Sequence, residues 1–520
     1  MDFVTSSYAK IQAALDKTTN DALPAPSAIA RATKSLPLAL PVSGLGEESA
    51  RDHLIADICA GFNGPKTSGN YYGFVTGGMF PIAEVADNIV TAWDQNVQVH
   101  LPDQSISTSV EDRALSMLSG LLSLGDQLNG RIFTTGATAG NILGLACGRE
   151  AIINSRLQAA GENSEVGELG LLAACSRVGI KEIQVLTTMG HSSLYKAASV
   201  VGIGRASVKD IPFSKDEPWR INIQLLESEL KRSKDGVASI VCLSAGEVNT
   251  GRFATDGIST LRRIRELCDT YGAWLHADGA FGLFARSLPP TPEFQSLIIS
   301  ASGLELSDSI GSDLHKMLNV PYDCGVFFTR SQKTMFSVFQ NANAVYLSTG
   351  PSSIASPLNI GLENSRRFRA LPVYAVLLAY GRNGLAEMFA RQVRLARALS
   401  AFVDSSPGYE LLAQGPAPPT SNMAPSHHYS LSSPQPTGTN TPIERPAYEN
   451  THIVVLFKAK VPLLNEKLVG KINATRKMYV SGTKWQGESA VRIAISTWKV
   501  DVERDLELVR NVLQGILKDG

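Results

Sequence analysis

The chain has 520 residues, 44% hydrophobic and 18% charged, with 48 basic and 48 acidic side chains and therefore no formal net charge. That length predicts about two to four packed units with a sizeable buried core. Balanced charge argues against a polyanion-binding surface as the main business of the protein, so nucleic acid is not expected as its primary partner.

Six cysteines, Cys59, Cys147, Cys175, Cys242, Cys268 and Cys324, form no CxxC pair and no His/Cys cluster at metal-ligand spacing. Neither a disulfide framework nor a metal site is expected. The first residues, MDFVTSSYAKIQAALDKTTND, lack a basic-then-apolar leader and an Arg-rich transit composition. No apolar run reaches membrane-spanning length, and the terminal Lys-Asp-Gly matches no retention or peroxisomal tail. The expectation is a cytoplasmic, reducing setting with no membrane partner.

In chain order, the first 45 residues read as an arm: roughly helical spacing from Tyr8 to Leu15, then a Pro-rich stretch from Leu23 to Val42. Such an arm cannot bury itself alone and is expected to pack on the main body or on another subunit. From Gly130 onward, short β-branched runs alternate with longer helical patterns, which predicts an α/β unit with a largely parallel sheet. The expected strands are Arg131 to Thr135, Ile183 to Thr187, Ser239 to Leu243, Trp274 to Ala277, Ser307 to Gly311 and Gly325 to Thr329. Helical patterns cover Asn141 to Gln158, Ser259 to Tyr271 and Leu371 to Val403. Residues 414–449 are rich in Pro, Ser and Thr and read as a mobile insertion. Strands at His452 to Phe457 and Ala490 to Ser496 and a helix at Val502 to Leu517 complete the pattern.

Four short motifs in the α/β unit carry chemistry. Thr134-Thr135-Gly136-Ala137-Thr138-Ala139-Gly140-Asn141 runs from a strand through small residues into a helix. It is either a tight turn or a phosphate cup, because a helix start offers unpaired N–H groups and a favourable dipole. His191, in Gly190-His191-Ser192-Ser193, follows a strand end, where sheet enzymes place ligands. In His276-Ala277-Asp278-Gly279-Ala280-Phe281-Gly282 an acidic residue closes an apolar strand. It is either a turn cap or a buried carboxylate in need of a partner. Ser312-Asp313-Leu314-His315-Lys316 offers a lysine that is solvated unless an enclosed site makes it a nucleophile. Pyridoxal 5'-phosphate satisfies all four motifs at once.

The order TTGATAGN, GHSS, HADGAFG, SDLHK and NVPYDCG resembles the group II pyridoxal-phosphate-dependent decarboxylases, which include the aromatic-L-amino-acid decarboxylases. YYGFVTGGMFP, AWDQN, RRFRALPVYAVLLAYG and SGTKWQGESAVRIAIS extend the likeness to roughly residues 45–410 and 450–515. The resemblance implies a fold-type I enzyme whose large domain holds a mostly parallel seven-stranded sheet flanked by helices. It also implies an N-terminal dimerisation segment (1–105), a large cofactor domain (106–385) and a small C-terminal α+β domain (386–520). It implies a homodimer with shared active sites, pyridoxal phosphate held as an aldimine on Lys316, and Asp278 paired with the pyridine nitrogen. His191 would stack on one ring face and Ala280 lie against the other. Ala137, Thr138, Asp313 and His315 would hold the phosphate. Tyr346 would donate the proton, with His191 as a second candidate. Phe74, Val75, Thr76 and Phe80 would line the substrate pocket, joined across the dimer by Tyr322.

The implied reaction is decarboxylation of an L-amino acid, aromatic side chains favoured, to an amine and carbon dioxide through a quinonoid intermediate. The alternative is another lyase or aldehyde-forming reaction on the same cofactor; Tyr346, where aldehyde-forming relatives tend to have Phe, favours simple decarboxylation. A silent scaffold would lack Lys316 or Asp278, and a nicotinamide enzyme would carry GxGxxG after the first strand of the unit; neither holds. The sequence departs from its relatives at Ser244-Ala245-Gly246-Glu247-Val248-Asn249-Thr250-Gly251, where many have a Thr-rich strand end, and at Met317, where Trp is usual. Glu247 reads as a solvated strand-end charge or a substrate contact, and Arg492 as an internal ion pair or a carboxylate contact.

Overall fold

The computed structural model describes residues 2–341, 354–415 and 448–518. Tyr346 and residues 416–447 of the expected insertion lie outside the described residues. In chain order the strands are β1 (Asn96–Val97), β2 (Gly130–Thr134), β3 (Glu182–Thr187), β4 (Val208–Asp210), β5 (Val237–Ser244), β6 (Trp274–Asp278) and β7 (Ser309–Asp313). There follow β8 (Gly325–Thr329), β9 (Arg366–Arg367), β10 (Tyr409–Leu411), β11 (Val454–Ala459), β12 (Ser481–Trp485) and β13 (Glu488–Ala494).

The central sheet has seven strands in the order β2-β8-β7-β6-β5-β3-β4. Only β8 runs against the others, pairing antiparallel with β2 and β7. β5 explains why the sheet is sandwiched: all eight of its residues are buried, as in strands covered on both faces. Alternate side chains point to opposite faces. Val241 and Leu243 pack in one cluster with Leu261 and Ile264 of the helix Ile258–Tyr271. Ile240 and Cys242 pack in another with Leu143 and Ala146 of the helix Ala137–Ala159. Ser244 pairs with Asp278, and Asp278 with Gly311, so β5, β6 and β7 end at one edge.

A second, antiparallel sheet, β10-β11-β13-β12, packs with the helices Pro462–Ala474 and Val502–Lys518. The long helix Ala370–Ser405 is broken at Gly381, which has φ 58° and ψ −172°. The sequence pattern across that point is continuous, so the expected single helix is two segments.

Other expectations shift too, the strands expected at His452 to Phe457 and Ala490 to Ser496 lying at Val454–Ala459 and Glu488–Ala494. The Pro-rich stretch contains a helix, Pro26–Ser35, because proline at the first helical turn loses no hydrogen bond; Ala28 and Ala32 are its buried face. The strand expected at Ser307 to Gly311 is Ser309–Asp313, which carries Asp313 to the sheet edge. β4 has three residues, too few to give a periodic signal. The arm's first helix, Phe3–Leu15, buries no residue, and beyond the second helix Leu38, Leu40 and Val42 are fully exposed. No helix among the described residues is long and apolar enough to cross a membrane. All six cysteines are free thiols.

Candidate active site

The ends of β3, β5, β6 and β7 open onto one cavity of about 270 Å3, at the sheet edge where parallel strands present ligand sites. Ala137, Thr138, His191, Asp278, Ala280, Asp313, His315 and Lys316 all line it. Residues far apart in sequence therefore meet because strand register aligns their turns.

One end of the cavity is built for an anion. Gly136 adopts φ 152° and ψ −179°, a conformation open to glycine, and leads into the helix Ala137–Ala159, whose first turn has no acidic residue. A Cβ on Gly136 would come within 2.9 Å of Asp313 Oδ1 and 3.2 Å of His315 Cε1, so the small residue keeps a cradle open. Asp313 Oδ1 accepts the Ala137 N–H at 2.5 Å, and Asp313 Oδ2 lies 2.7 Å from Lys316 Nζ. His315 Nε2 is 3.5 Å from Asp313. An ionised carboxylate offers only acceptors. Asp313 therefore places the lysine and the helix start, and has no donor of its own to offer an anion. Burial lowers the His315 pKa, the Asp313 charge opposing it, so the imidazole is neutral at pH 7.

The other end holds Asp278. Its Oδ2 accepts from Asn141 Nδ2 at 2.9 Å, and its Oδ1 accepts the Ala280 N–H at 3.2 Å. His191 caps the helix Ser192–Val200, its Nδ1 accepting the Ser193 N–H. Burial lowers its pKa, with the Asp278 charge the largest opposing influence and the cations Lys316 and Arg492 adding to the lowering. The main chain beneath Lys316 is fixed by Asn319, which donates from Nδ2 to the carbonyls of Lys316 at 2.7 Å and Ser496 at 2.8 Å and accepts the Trp498 N–H at 2.6 Å. The turn that carries Lys316 is thus locked to the C-terminal unit.

The expected substrate residues are less tightly gathered. The Tyr322 ring lies 4.7 Å from that of His315, and burial raises the Tyr322 pKa, with the Thr76 side chain opposing the rise. Phe74 is 66% exposed and lies against Tyr479. Phe80 is not brought to the cavity: it is buried, stacked on Tyr380 at 4.3 Å and Trp498 at 5.3 Å, because its neighbours in the chain start the helix Pro81–Ala92.

Glu247 is neither solvated nor free for a substrate. Its Oε1 accepts from Asn249 N–H and Nδ2 at 3.0 and 3.2 Å, and its Oε2 from Thr250 N–H and Oγ1 at 2.8 and 2.9 Å. It is 2% exposed, and burial raises its pKa while these donors oppose the rise. Arg492 is likewise buried; its Nε donates to the carbonyl of Val248, whose side chain lines the cavity. Burial lowers the Arg492 pKa to about 10, with Glu247 opposing.

Sequence reading gave no role to Asn141, Ser193, His276, Ser309 or Asn319. Asn141 and Ser193 read as apparent helix starters, while His276 opens HADGAFG and Asn319 opens NVPYDCG. The signal available was polar side chains at positions that the helix and strand periods assign to the interior, since such groups are buried only with partners.

The residues fit pyridoxal phosphate by donor chemistry: an N–H cradle for phosphate, a lysine amine, and a carboxylate held by two donors for a protonated ring nitrogen. The sequence profile of the pyridoxal-dependent decarboxylase conserved domain matches residues 82–419. A tryptophan decarboxylase of Camptotheca acuminata is 26% identical over 354 residues, 66% of this chain and 63% of that protein. An L-2,4-diaminobutyrate decarboxylase of Acinetobacter baumannii is 25% identical over 341 residues, 64% of this chain and 62% of that one. The matched regions therefore span less than two thirds of these relatives. The crystal structure of Rhodiola rosea 4-hydroxyphenylacetaldehyde synthase superimposes with a TM-score of 0.75 at 18% identity, covering 100% of this chain and 99% of that one. That likeness is one of fold.

Proposed function

The chain belongs to the pyridoxal-dependent decarboxylase family, and we propose that it is an amino-acid decarboxylase that converts an L-amino acid, aromatic side chains favoured, to the amine and carbon dioxide. The observation that carries this is the meeting of Lys316, Asp278 and the helix start at Ala137 around one cavity. When bound there, pyridoxal phosphate supplies a carbonyl that condenses with an amino group and a ring that takes up the electron pair left by the departing carboxylate.

The chain's own residues do the rest. Ala137, Thr138 and the neighbouring main-chain N–H groups hold the phosphate, with Asp313 aligning Lys316 beside them. Lys316 presents its amine to the cofactor carbonyl. Asp278 keeps a proton on the ring nitrogen, which makes the ring a better electron acceptor. His191 and Ala280 would cover the two faces of the ring. The final proton goes to the substrate Cα, from Tyr346 or from His191, and this step selects amine over aldehyde.

Phe74, Thr76 and Tyr322 are the proposed substrate contacts. Phe74 and Tyr322 are both exposed in a single chain, 66% and 60%, and aromatic walls suit an aromatic or bulky apolar side chain. The same exposure, with that of Leu38, Leu40, Val42 and Trp93, supports a homodimer in which these surfaces are covered. Six unpaired thiols agree with a cytoplasmic setting.

The test is a product screen of the cofactor-loaded protein against all proteinogenic L-amino acids, reading amine, aldehyde and ammonia by mass spectrometry. Amine without ammonia from an aromatic acid supports the proposal. Amine from an acidic or basic acid alone corrects the substrate class, and aldehyde with ammonia overturns the reaction.

A further inference from the structure

Behind the cavity runs a chain of buried hydrogen bonds whose direction is fixed by its members. A carboxylate can only accept, so the Asn141 atom 2.9 Å from Asp278 Oδ2 is the amide nitrogen. The second hydrogen of that nitrogen goes to Ser193 Oγ at 3.1 Å. The Asn141 oxygen then faces His276 Nε2 at 2.9 Å, which must carry a proton. His276 is fully buried, and burial pushes its pKa down to about 4, so the ring is neutral and Nδ1 is bare. That Nδ1 accepts the Ser309 hydroxyl at 2.9 Å, and Ser309 Oγ in turn accepts the Trp274 Nε1–H at 3.0 Å. A side chain at Gly144 would put its Cβ 2.5 Å from the His276 ring, so glycine on the helix is what lets the ring in.

The same logic runs outward. His191 Nδ1 accepts the Ser193 N–H at 3.2 Å, so the Ser193 hydroxyl, which accepts from Asn141, points its hydrogen to that nitrogen 2.7 Å away. With two donors aimed at it, His191 Nδ1 cannot hold a proton. The hydrogen of the neutral ring is on Nε2.

We propose that Asn141 is a positioning residue whose single amide group both orients the Asp278 carboxylate and, through Ser193, fixes His191 as the Nε2–H tautomer. One side chain thus aligns the group that holds the ring nitrogen with the group that covers the ring. The role in catalysis rests on the decarboxylase reading given above. The tautomer does not, because it follows from hydrogen bonds within this chain. Removing the amide by Asn141→Ala leaves Asp278 short of a donor and lets Ser193 turn. Ser193→Ala removes only the hydroxyl, leaving the main-chain N–H on His191 and the Asn141 donor on Asp278 in place.

The experiment uses full-length protein labelled with nitrogen-15 in histidine, with the His191 signal assigned by its loss in His191→Gln. The wild type is expected to show His191 as a single Nε2–H tautomer, with and without pyridoxal phosphate. Both Asn141→Ala and Ser193→Ala are expected to give mixed tautomers. Cofactor affinity, read by fluorescence titration, is expected to fall about tenfold or more in Asn141→Ala, as for loss of one charge-assisted hydrogen bond, and about threefold or less in Ser193→Ala. An Nδ1–H ring in the wild type, an unchanged tautomer in Asn141→Ala, or equal affinity losses in the two variants overturns the proposal. Should Asn141→Ala fail to fold, the wild-type tautomer and its release in Ser193→Ala still decide it. A wrong reaction assignment would alter the products and leave these spectra as predicted.

Discussion

One Asp313 carboxylate serves two groups of the cavity: Oδ2 lies 2.7 Å from Lys316 Nζ while Oδ1 takes the Ala137 N–H at 2.5 Å. It thereby sets the lysine and the helix start side by side. Asp313→Ala removes the cap and the ion pair and is expected to cost about 1–3 kcal/mol of stability. Inorganic phosphate should then raise the melting temperature of this variant more than that of the wild type, because an external anion replaces the lost acceptor. Equal stabilisation of the two proteins in a phosphate titration would count against an anion site at this helix start.

Glu247 closes the turn that carries Val248 to the cavity. Its replacement by alanine strands the four donors that it satisfies, two of them main-chain N–H groups. Glu247→Ala is therefore expected to lower stability by about 2–4 kcal/mol in urea titrations, and Glu247→Gln by less, since the amide oxygen still accepts.

Two buried histidines make the fold sensitive to acid. Burial lowers the His276 pKa to about 4 and that of His452 to about 3, both from 6.5. Between about pH 6.5 and 4 the unfolded chain binds protons that the native state refuses, so stability falls as the pH drops, by about 1.4 kcal/mol per unit for each histidine. His452 lies between the Phe253 and Phe281 rings, at 6.1 and 6.2 Å, and its Nδ1 has no hydrogen-bond partner among the described residues. His452→Leu should halve this pair's contribution to the slope of unfolding free energy against pH, and an unchanged slope would show that His452 titrates normally.

Tyr346 is the expected proton donor. Tyr346→Phe is predicted to slow amine release and, in air, to divert product toward aldehyde and ammonia. Wild-type amine yield from the variant would transfer the role to His191.

The strands were legible where they are continuously apolar: β8 matches the sequence reading, and β5 extends two residues before and one after it. The cavity was legible too, since Lys316, Asp278, His191 and Ala137 each follow a strand end, and the register of a parallel sheet brings such turns together. What escaped were relationships between elements. Asn141 reads as a helix-starting residue until β6 places His276 and Asp278 beside it. Glu247 reads as a surface charge because nothing local announces that its own turn will fold over it. Phe80 carries the apolar character of a pocket wall, yet the stack with Tyr380 and Trp498 depends on chain segments far from it in sequence. The break at Gly381 was invisible because the helical pattern continues on both sides.

The central claim is that Lys316 carries the cofactor. Its most direct test is borohydride reduction of the protein loaded with pyridoxal phosphate, followed by peptide mass mapping and visible spectra, beside Lys316→Ala treated identically. The account predicts a stable mass gain equal to one reduced pyridoxyl phosphate on the peptide containing Lys316, loss of the visible band on reduction, and neither change in the variant. No adduct on the wild type, or an adduct on another lysine that persists in Lys316→Ala, would contradict it.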